Sequence, residues 1–268
     1  MARDAKAAHL AATPRGVKTR RLHDTERGVQ AIVLAGGLAT RMHPHTLRVP
    51  KSMLEVAGRP FVDWQLERLA QCGFESVVMC VAHLGEQIRA HVGDGSRVGI
   101  KVAWAEEGPT LLGTAGALRA ALPVLADEFL VTYGDSYLPF DYGDPLRVLG
   151  SHRDCDGVMA IFKNEGKWDV SNVKTDGAWV LRYEKGGGTV NAAFDHIDYG
   201  ATALRRQVIA DLAPAAANSA PRGLDALQRD LSARKRLRAC VARARFFEIG
   251  SPEGLAELDG YLRTRASS

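Results

Sequence analysis

Two cations spaced ten residues apart, Arg41 and Lys51, follow an apolar run and a glycine pair in Ala31-Ile32-Val33-Leu34-Ala35-Gly36-Gly37. The apolar run is continuous rather than alternating, as in a parallel strand buried on both faces. Glycines at its end let the backbone turn sharply and bring N–H groups close to an anion. An arginine offers a planar donor fork to phosphate oxygens, and a lysine a compact point charge. Together these types suit the binding of a nucleoside triphosphate. A second turn, Gly134-Asp135, also ends an apolar run. A carboxylate there can hold Mg²⁺, which takes oxygen ligands and keeps water and phosphate in its shell.

These residues need a frame, and the hydrophobic pattern supplies one. Strands are expected at 30–35, 77–81, 101–105 and 128–133, alternating with helices at 61–72, 84–91 and 114–122, the last halted by Pro123. That alternation predicts an α/β, Rossmann-like fold with a mostly parallel sheet and helices on both faces. Ligands of such sheets bind beyond the carboxyl ends of the strands, so the Gly36 loop and the Gly134-Asp135 turn should share one cleft. The second half is more mixed, with strands expected at 158–162, 172–174, 180–184 and 196–203, an exposed loop at 213–223 and a helix at 224–233. It reads as a small mixed-strand extension of the same domain, because no linker separates the halves.

The stretch AGGLATRMHPHTLRVPKSML resembles the signature of sugar-1-phosphate nucleotidyltransferases, AGGxGTRxxPxTxxxPKPxL, at Gly36, Gly37, Thr40, Arg41, Pro44, Thr46, Pro50, Lys51 and Leu54. Further blocks similar to that family follow in its order at 112–118, 134–135, 183–185 and 247–253. Heptose- and mannose-1-phosphate guanylyltransferase-like members are the nearest in pattern. The resemblance implies Mg²⁺-dependent transfer of a nucleoside monophosphate from a triphosphate to a sugar 1-phosphate. It implies that Leu34, Ala35, Gly36, Gly37, Thr40, Arg41, Lys51, Gly113 and Thr114 bind the nucleotide, with Arg41, Lys51 and Asp135 catalytic. It further implies sugar-phosphate contacts at Asn172, Glu184, Lys185 and Asp198, and a metal held by Asp135 and Glu248. Glu248 stands where relatives usually carry aspartate. Ala39 replaces a family glycine, and a side chain there disfavours positive φ by about 1 kcal/mol. GTP with a heptose or hexose 1-phosphate is the first choice, since Glu106 or Glu107 could accept the N1–H and amine edge of guanine. UTP, dTTP, CTP and ATP are the alternatives within the family, and a catalytically silent nucleotide-sugar-binding relative is the alternative in function.

Composition bounds the rest. The 268 residues are 46% hydrophobic and 25% charged, as in a globular protein. No apolar run approaches the roughly 20 residues that span a bilayer, and no secretory signal is legible, so no membrane partner and a cytoplasmic setting are expected. The formal charge of +4 resides in residues 1–28, with seven basic against three acidic side chains. That stretch is expected to be a basic flexible leader, with 29–268 as a single nucleotidyltransferase domain. No aromatic residue interleaves its charges, which argues against nucleic acid as a partner. A homodimer is compatible with the resemblance. Cys72, Cys80, Cys155 and Cys240 show no metal-binding spacing. The order GGxxxR is neither the dinucleotide fingerprint GxGxxG nor a P-loop.

Overall fold

The computed structural model describes residues 29–37, 42, 45–106, 112–185, 194–213 and 221–266. The leader, Ala39, Thr40, Arg41, Pro44 and Glu107 lie outside the described residues. The described residues open with β1 (Gln30–Leu34), the short β2 (Glu55–Val56) and β3 (Arg59–Pro60), α1 (Phe61–Gln71), β4 (Ser76–Val81), α2 (Gly85–Val92) and β5 (Lys101–Glu106). Then come α3 (Thr114–Ala120), β6 (Glu128–Tyr133), the short β7 (Ser136–Tyr137), α4 (Asp144–Ser151), β8 (Gly157–Lys163), β9 (Val173–Thr175) and β10 (Val180–Tyr183). The last elements are β11 (His196–Arg205), α5 (Arg206–Ala210), α6 (Leu224–Ala233), β12 (Leu237–Ala242), β13 (Phe247–Glu248) and α7 (Pro252–Ala266).

One sheet runs in the order β10-β9-β11-β6-β1-β4-β5, and β8 joins it by pairing with both β11 and β12. The run β6-β1-β4-β5 is parallel throughout. Beyond β6 the direction reverses, because β11 lies antiparallel to β6 and to β8. The strands of the second half therefore continue the central sheet. Strands β9 and β10, themselves an antiparallel pair, stand at one margin, and β12 lies outside β8.

Every position of β1 is buried, and its side chains alternate between two cores. Ala31 and Val33 join Val62, Leu66 and Leu69 of α1, Ile88 of α2 and Leu146 of α4 on one face. Ile32 and Leu34 join Leu118 of α3, Ile209 of α5 and Leu227 of α6 on the other. Helices thus cover both faces, which is why the strand carries no polar alternation. A third, smaller core gathers Val56, Phe61, Tyr137, Phe247, Ile249 and Leu258 where β2, β7, β13 and α7 meet. No helix among the described residues is long and apolar enough to cross a membrane.

Several boundaries differ from the sequence expectation. The third helix stops at Ala120, and Pro123 sits inside a separate 3-10 turn, Leu122–Val124. The strand expected at 196–203 continues to Arg205. Helix α4 and strand β12 had no counterpart in the pattern: α4 is short, opens with Pro145 in its first turn and carries Gly150 near its end, and β12 mixes Arg238 with small residues.

The ends of β1 and β6 are pressed together. The Gly134 N–H donates to the Leu34 carbonyl at 2.9 Å. A Cβ at position 134 would lie 2.8 Å from the Ala35 Cβ and 3.1 Å from the Leu34 carbonyl oxygen. Gly134→Ala should therefore cost about 1–3 kcal/mol by overpacking. Gly37→Ala, whose Cβ would meet nothing within 4 Å, should be close to neutral. Urea unfolding of both variants checks the contrast.

Candidate active site

A cavity of about 310 Å³ opens at the carboxyl ends of β1 and β6. Its walls include Leu34, Ala35, Gly36 and Gly37 after β1, Tyr133, Gly134 and Asp135 after β6, and Gly113, Thr114 and Ala117 at the start of α3. Lys51 and Ser52 close one side and Pro221 the other. The two turns expected to share a cleft do so, and that follows from parallel pairing of the strands that carry them.

Lys51 begins a 3-10 turn, Lys51–Met53, after the extended Pro50. From there its ammonium donates to Asp135 Oδ2 at 2.9 Å, with the lysine side chain 16% and the aspartate 30% exposed. This pair bridges the β1 side of the cleft and the β6 turn. The positive partner can take a phosphate oxygen, and the negative partner a cation.

The Asp135 turn is held from behind by a residue that the sequence reading passed over. Gln65, fully buried on α1, donates from Nε2 to the carbonyls of Tyr133 at 2.7 Å and Ser136 at 3.0 Å. One amide thus clamps both ends of the turn that aims Asp135. The available signal was a glutamine among Phe61, Val62, Leu66 and Leu69 on the inward face of a helix; such a buried amide must find partners.

Glu248 reaches the same place by strand pairing. In the antiparallel pair β13–β7 it lies opposite Ser136, and the next N–H, of Ile249, donates to the Asp135 carbonyl at 2.9 Å. Residues 113 positions apart in sequence are thereby brought one register step from each other. Among the described residues no group of three or more His, Cys, Asp or Glu side chains gathers to hold a metal alone. Asp135 in its turn and Glu248 on β13 nevertheless supply the kind of oxygen ligands that suit Mg²⁺, which is commonly held by one or two carboxylates with substrate phosphates and water.

The residues expected on the sugar side form a connected group around β9, β10 and β11. Asn172 Oδ1 accepts from the Asp198 N–H at 2.9 Å. Asp198 accepts from the Tyr183 hydroxyl and from the Gly200 N–H, each at 3.0 Å. Burial pushes the Asp198 carboxyl pKa upward, against the pull of the Gly200 N–H, Lys185 and Tyr183. Lys185 lies with its ammonium 4.9 Å from the centre of the Tyr133 ring. Glu184 instead turns its carboxylate to Arg182, whose Nε donates at 2.7 Å.

Two nucleotide-side residues have structural partners. Gly113 has φ +76°, and a Cβ there would strike the Arg222 backbone at 2.4 Å. The close approach its glycine permits is thus to the segment before α6. The Thr114 hydroxyl accepts from the Leu224 N–H at 2.6 Å, satisfying a free donor at the start of α6. Glu106, at the end of β5, pairs with Arg89 of α2 at 2.8 Å.

The nucleotidyl transferase family profile matches residues 30–169, just over half of the chain. The protein belongs to the nucleotidyl transferase family. Within that family it is 43% identical over 124 residues to the N-acetylmuramate alpha-1-phosphate uridylyltransferase of Neisseria meningitidis, covering 46% of this chain and 54% of that one. It is 30% identical over 161 residues to the mannose-1-phosphate guanylyltransferase catalytic subunit beta of Danio rerio, covering 58% and 44% respectively. The match spans about half the length of these curated relatives. The crystal structure of HddC from Yersinia pseudotuberculosis shares the fold, with a TM-score of 0.69 at 24% identity over 87% of this chain and 99% of that one.

If Gln65 sets the turn, its loss should be felt as two buried carbonyls without a donor. Gln65→Met keeps the volume and should cost about 2 kcal/mol of stability. Denaturant unfolding of the variant measures this.

Proposed function

We propose that this nucleotidyl transferase joins a nucleoside triphosphate to a sugar 1-phosphate. An oxygen of the sugar phosphate attacks the α-phosphorus, the bond to the bridging oxygen breaks, and pyrophosphate leaves with that electron pair. The observation that carries the reading is the Lys51–Asp135 pair at the junction of the two strand-end turns. No protein nucleophile is needed: the chain must bring two anions together and stabilise charge on the transferring group. In this reading the backbone N–H groups of Gly36 and Gly37 and the Lys51 ammonium hold the triphosphate, and Arg41 adds a second cation. Lys185 takes the sugar phosphate. Asp135 and Glu248 would hold Mg²⁺, which when bound screens the phosphates and polarises the group under attack.

For the nucleobase, Glu106 is turned to Arg89, leaving Glu107 as the remaining carboxylate for a guanine edge. The greatest identity among the relatives above is to a uridylyltransferase. We therefore prefer UTP to GTP. Pyrophosphate release measured with each of the five triphosphates, Mg²⁺, and N-acetylmuramate, glucose or mannose 1-phosphate tests both parts. UTP should lead by at least about tenfold, a difference of about 1.4 kcal/mol; a lead by GTP would restore the guanine reading, and no release with any pair would defeat the activity itself.

Asp135→Asn preserves shape and removes charge. It should cost at least ~3 kcal/mol of transition-state stabilisation, over a hundredfold in rate. Glu248→Gln should shift the activity curve to higher Mg²⁺, whereas a curve superimposed on the wild type would make Glu248 a structural residue of β13.

A further inference from the structure

The segment between β8 and β9 has little core of its own. Every residue from Glu165 to Val170 is exposed. Its base is tied by the fully buried Asn164, whose Oδ1 accepts from the Trp168 N–H at 3.2 Å and whose Nδ2 donates to the Ser171 hydroxyl at 3.1 Å. Its largest side chain, Trp168, is 44% exposed and lies against Arg245, with the guanidinium 3.8 Å from the ring centre. A segment with few buried contacts opens easily, so each contact that remains weighs heavily on how firmly it is held.

Arg245 also reaches the other way. Its guanidinium lies 4.3 Å from the centre of the Phe247 ring and pairs with Glu257 of α7. Phe247 in turn packs on Tyr261 of α7, with ring centres 4.5 Å apart. Glu248 follows Phe247 on β13, and the next N–H, of Ile249, is bonded to the Asp135 carbonyl. At the far end of the exposed segment, Asn172 accepts from the Asp198 N–H at 2.9 Å, and its carbonyl accepts from the Glu184 N–H at 3.0 Å. One guanidinium thus joins the segment that enters the acceptor side of the cleft to the strand that carries Glu248. Arginine suits this place, because its plane stacks on rings while its edge meets a carboxylate.

We infer that the Trp168–Arg245–Phe247 stack links the two sides, so that the sugar 1-phosphate and the divalent cation bind cooperatively, with Trp168 and Arg245 as positioning residues. This rests on the function proposed above. A sugar 1-phosphate on the Asn172–Asp198 group orders the segment from Asn164 to Asn172. Through Arg245 the same ordering reaches β13, and a cation then meets a Glu248 that is already held in place. The effect is reciprocal: each ligand raises the affinity for the other by the same factor.

Trp168→Ala removes the ring from an exposed position, and Trp168→Phe keeps a ring for Arg245 to stack on. The probes are Mn²⁺, followed as the free ion by electron paramagnetic resonance, and whichever of glucose, mannose or N-acetylmuramate 1-phosphate binds the wild type most tightly. In the wild type the sugar 1-phosphate should tighten Mn²⁺ binding at least about threefold. That gain should fall below about 1.5-fold in Trp168→Ala and persist in Trp168→Phe. Exchange of the Ile249 amide with deuterium should be at least about threefold faster in Trp168→Ala than in the other two proteins. A wild type without the gain, or an undiminished gain in Trp168→Ala, would overturn the inference. So would an equal loss in both variants, which would make the indole merely structural, or an Ile249 amide that exchanges alike in all three. None of these measurements needs turnover, so failure of the transfer reaction is judged separately. Glu248→Gln isolates the metal assignment: weaker Mn²⁺ binding upholds it whatever Trp168→Ala does, whereas unchanged binding defeats the assignment and the inference together.

Discussion

The approach of the Gly134 backbone to Leu34 and Ala35 is the constraint on which the rest of the site depends. Two parallel strands can run side by side with their exit loops diverging; here the N–H of one turn is bonded to the last carbonyl of the other strand. No side chain fits between them. With that contact made, a lysine leaving the β1 side can reach an aspartate leaving β6, and the 2.9 Å bond between Lys51 and Asp135 spans a gap only one turn wide. A donor set placed on two loops would otherwise lose precision to the motion of each. Bonding the loops to one another removes that freedom before any ligand binds.

Support for the pair comes from two directions. Behind it, Gln65 ties both ends of the Asp135 turn to α1, whose other inward side chains are locked in the core. Beside it, β13 is held by the small third core and by Arg245, whose guanidinium lies 3.8 Å from the centre of the Trp168 ring and 4.3 Å from that of Phe247. The strand that carries Glu248 is therefore fixed by packing independent of the two main cores. For the proposed reaction, precise placement of a second carboxylate would matter because Mg²⁺ tolerates little departure from octahedral geometry.

What the sequence revealed follows the range of the forces involved. Strands β1, β4 and β6 were legible because burial on both faces writes continuous apolar runs, and glycines soon after β1 and β6 mark their ends. The convergence of Asp135 and Glu248 was legible only through the order of family-like blocks; nothing local to Phe247-Glu248 announces that it pairs with Ser136-Tyr137. Gln65 and the role of Thr114 at the start of α6 were not legible, because each depends on a partner 68 to 110 residues away. Strand β12 was hidden for a related reason. It pairs along its length with β8 and only by an isolated bridge, Arg238 with Trp179, on its other side; Arg238, which packs on Trp179 and pairs with Asp154 at 2.9 Å, breaks the apolar run expected of a central strand.

Charge divides the cleft. Lys51 pairs with Asp135 in the cleft, the Lys185 ammonium lies 4.9 Å from the centre of the Tyr133 ring, and Asp198 is bonded to the Tyr183 hydroxyl. In a site partly shielded from water, like charges about 4 Å apart oppose one another by about 4 kcal/mol at an effective dielectric constant near 20. A phosphate is therefore drawn to the lysines and opposed by the carboxylate of Asp135. In the proposed reaction a phosphate nearest Asp135 would need a cation beside it. The Asp135 charge that binds Lys51 in this structure is thus the one that a divalent metal would take up in the proposed chemistry.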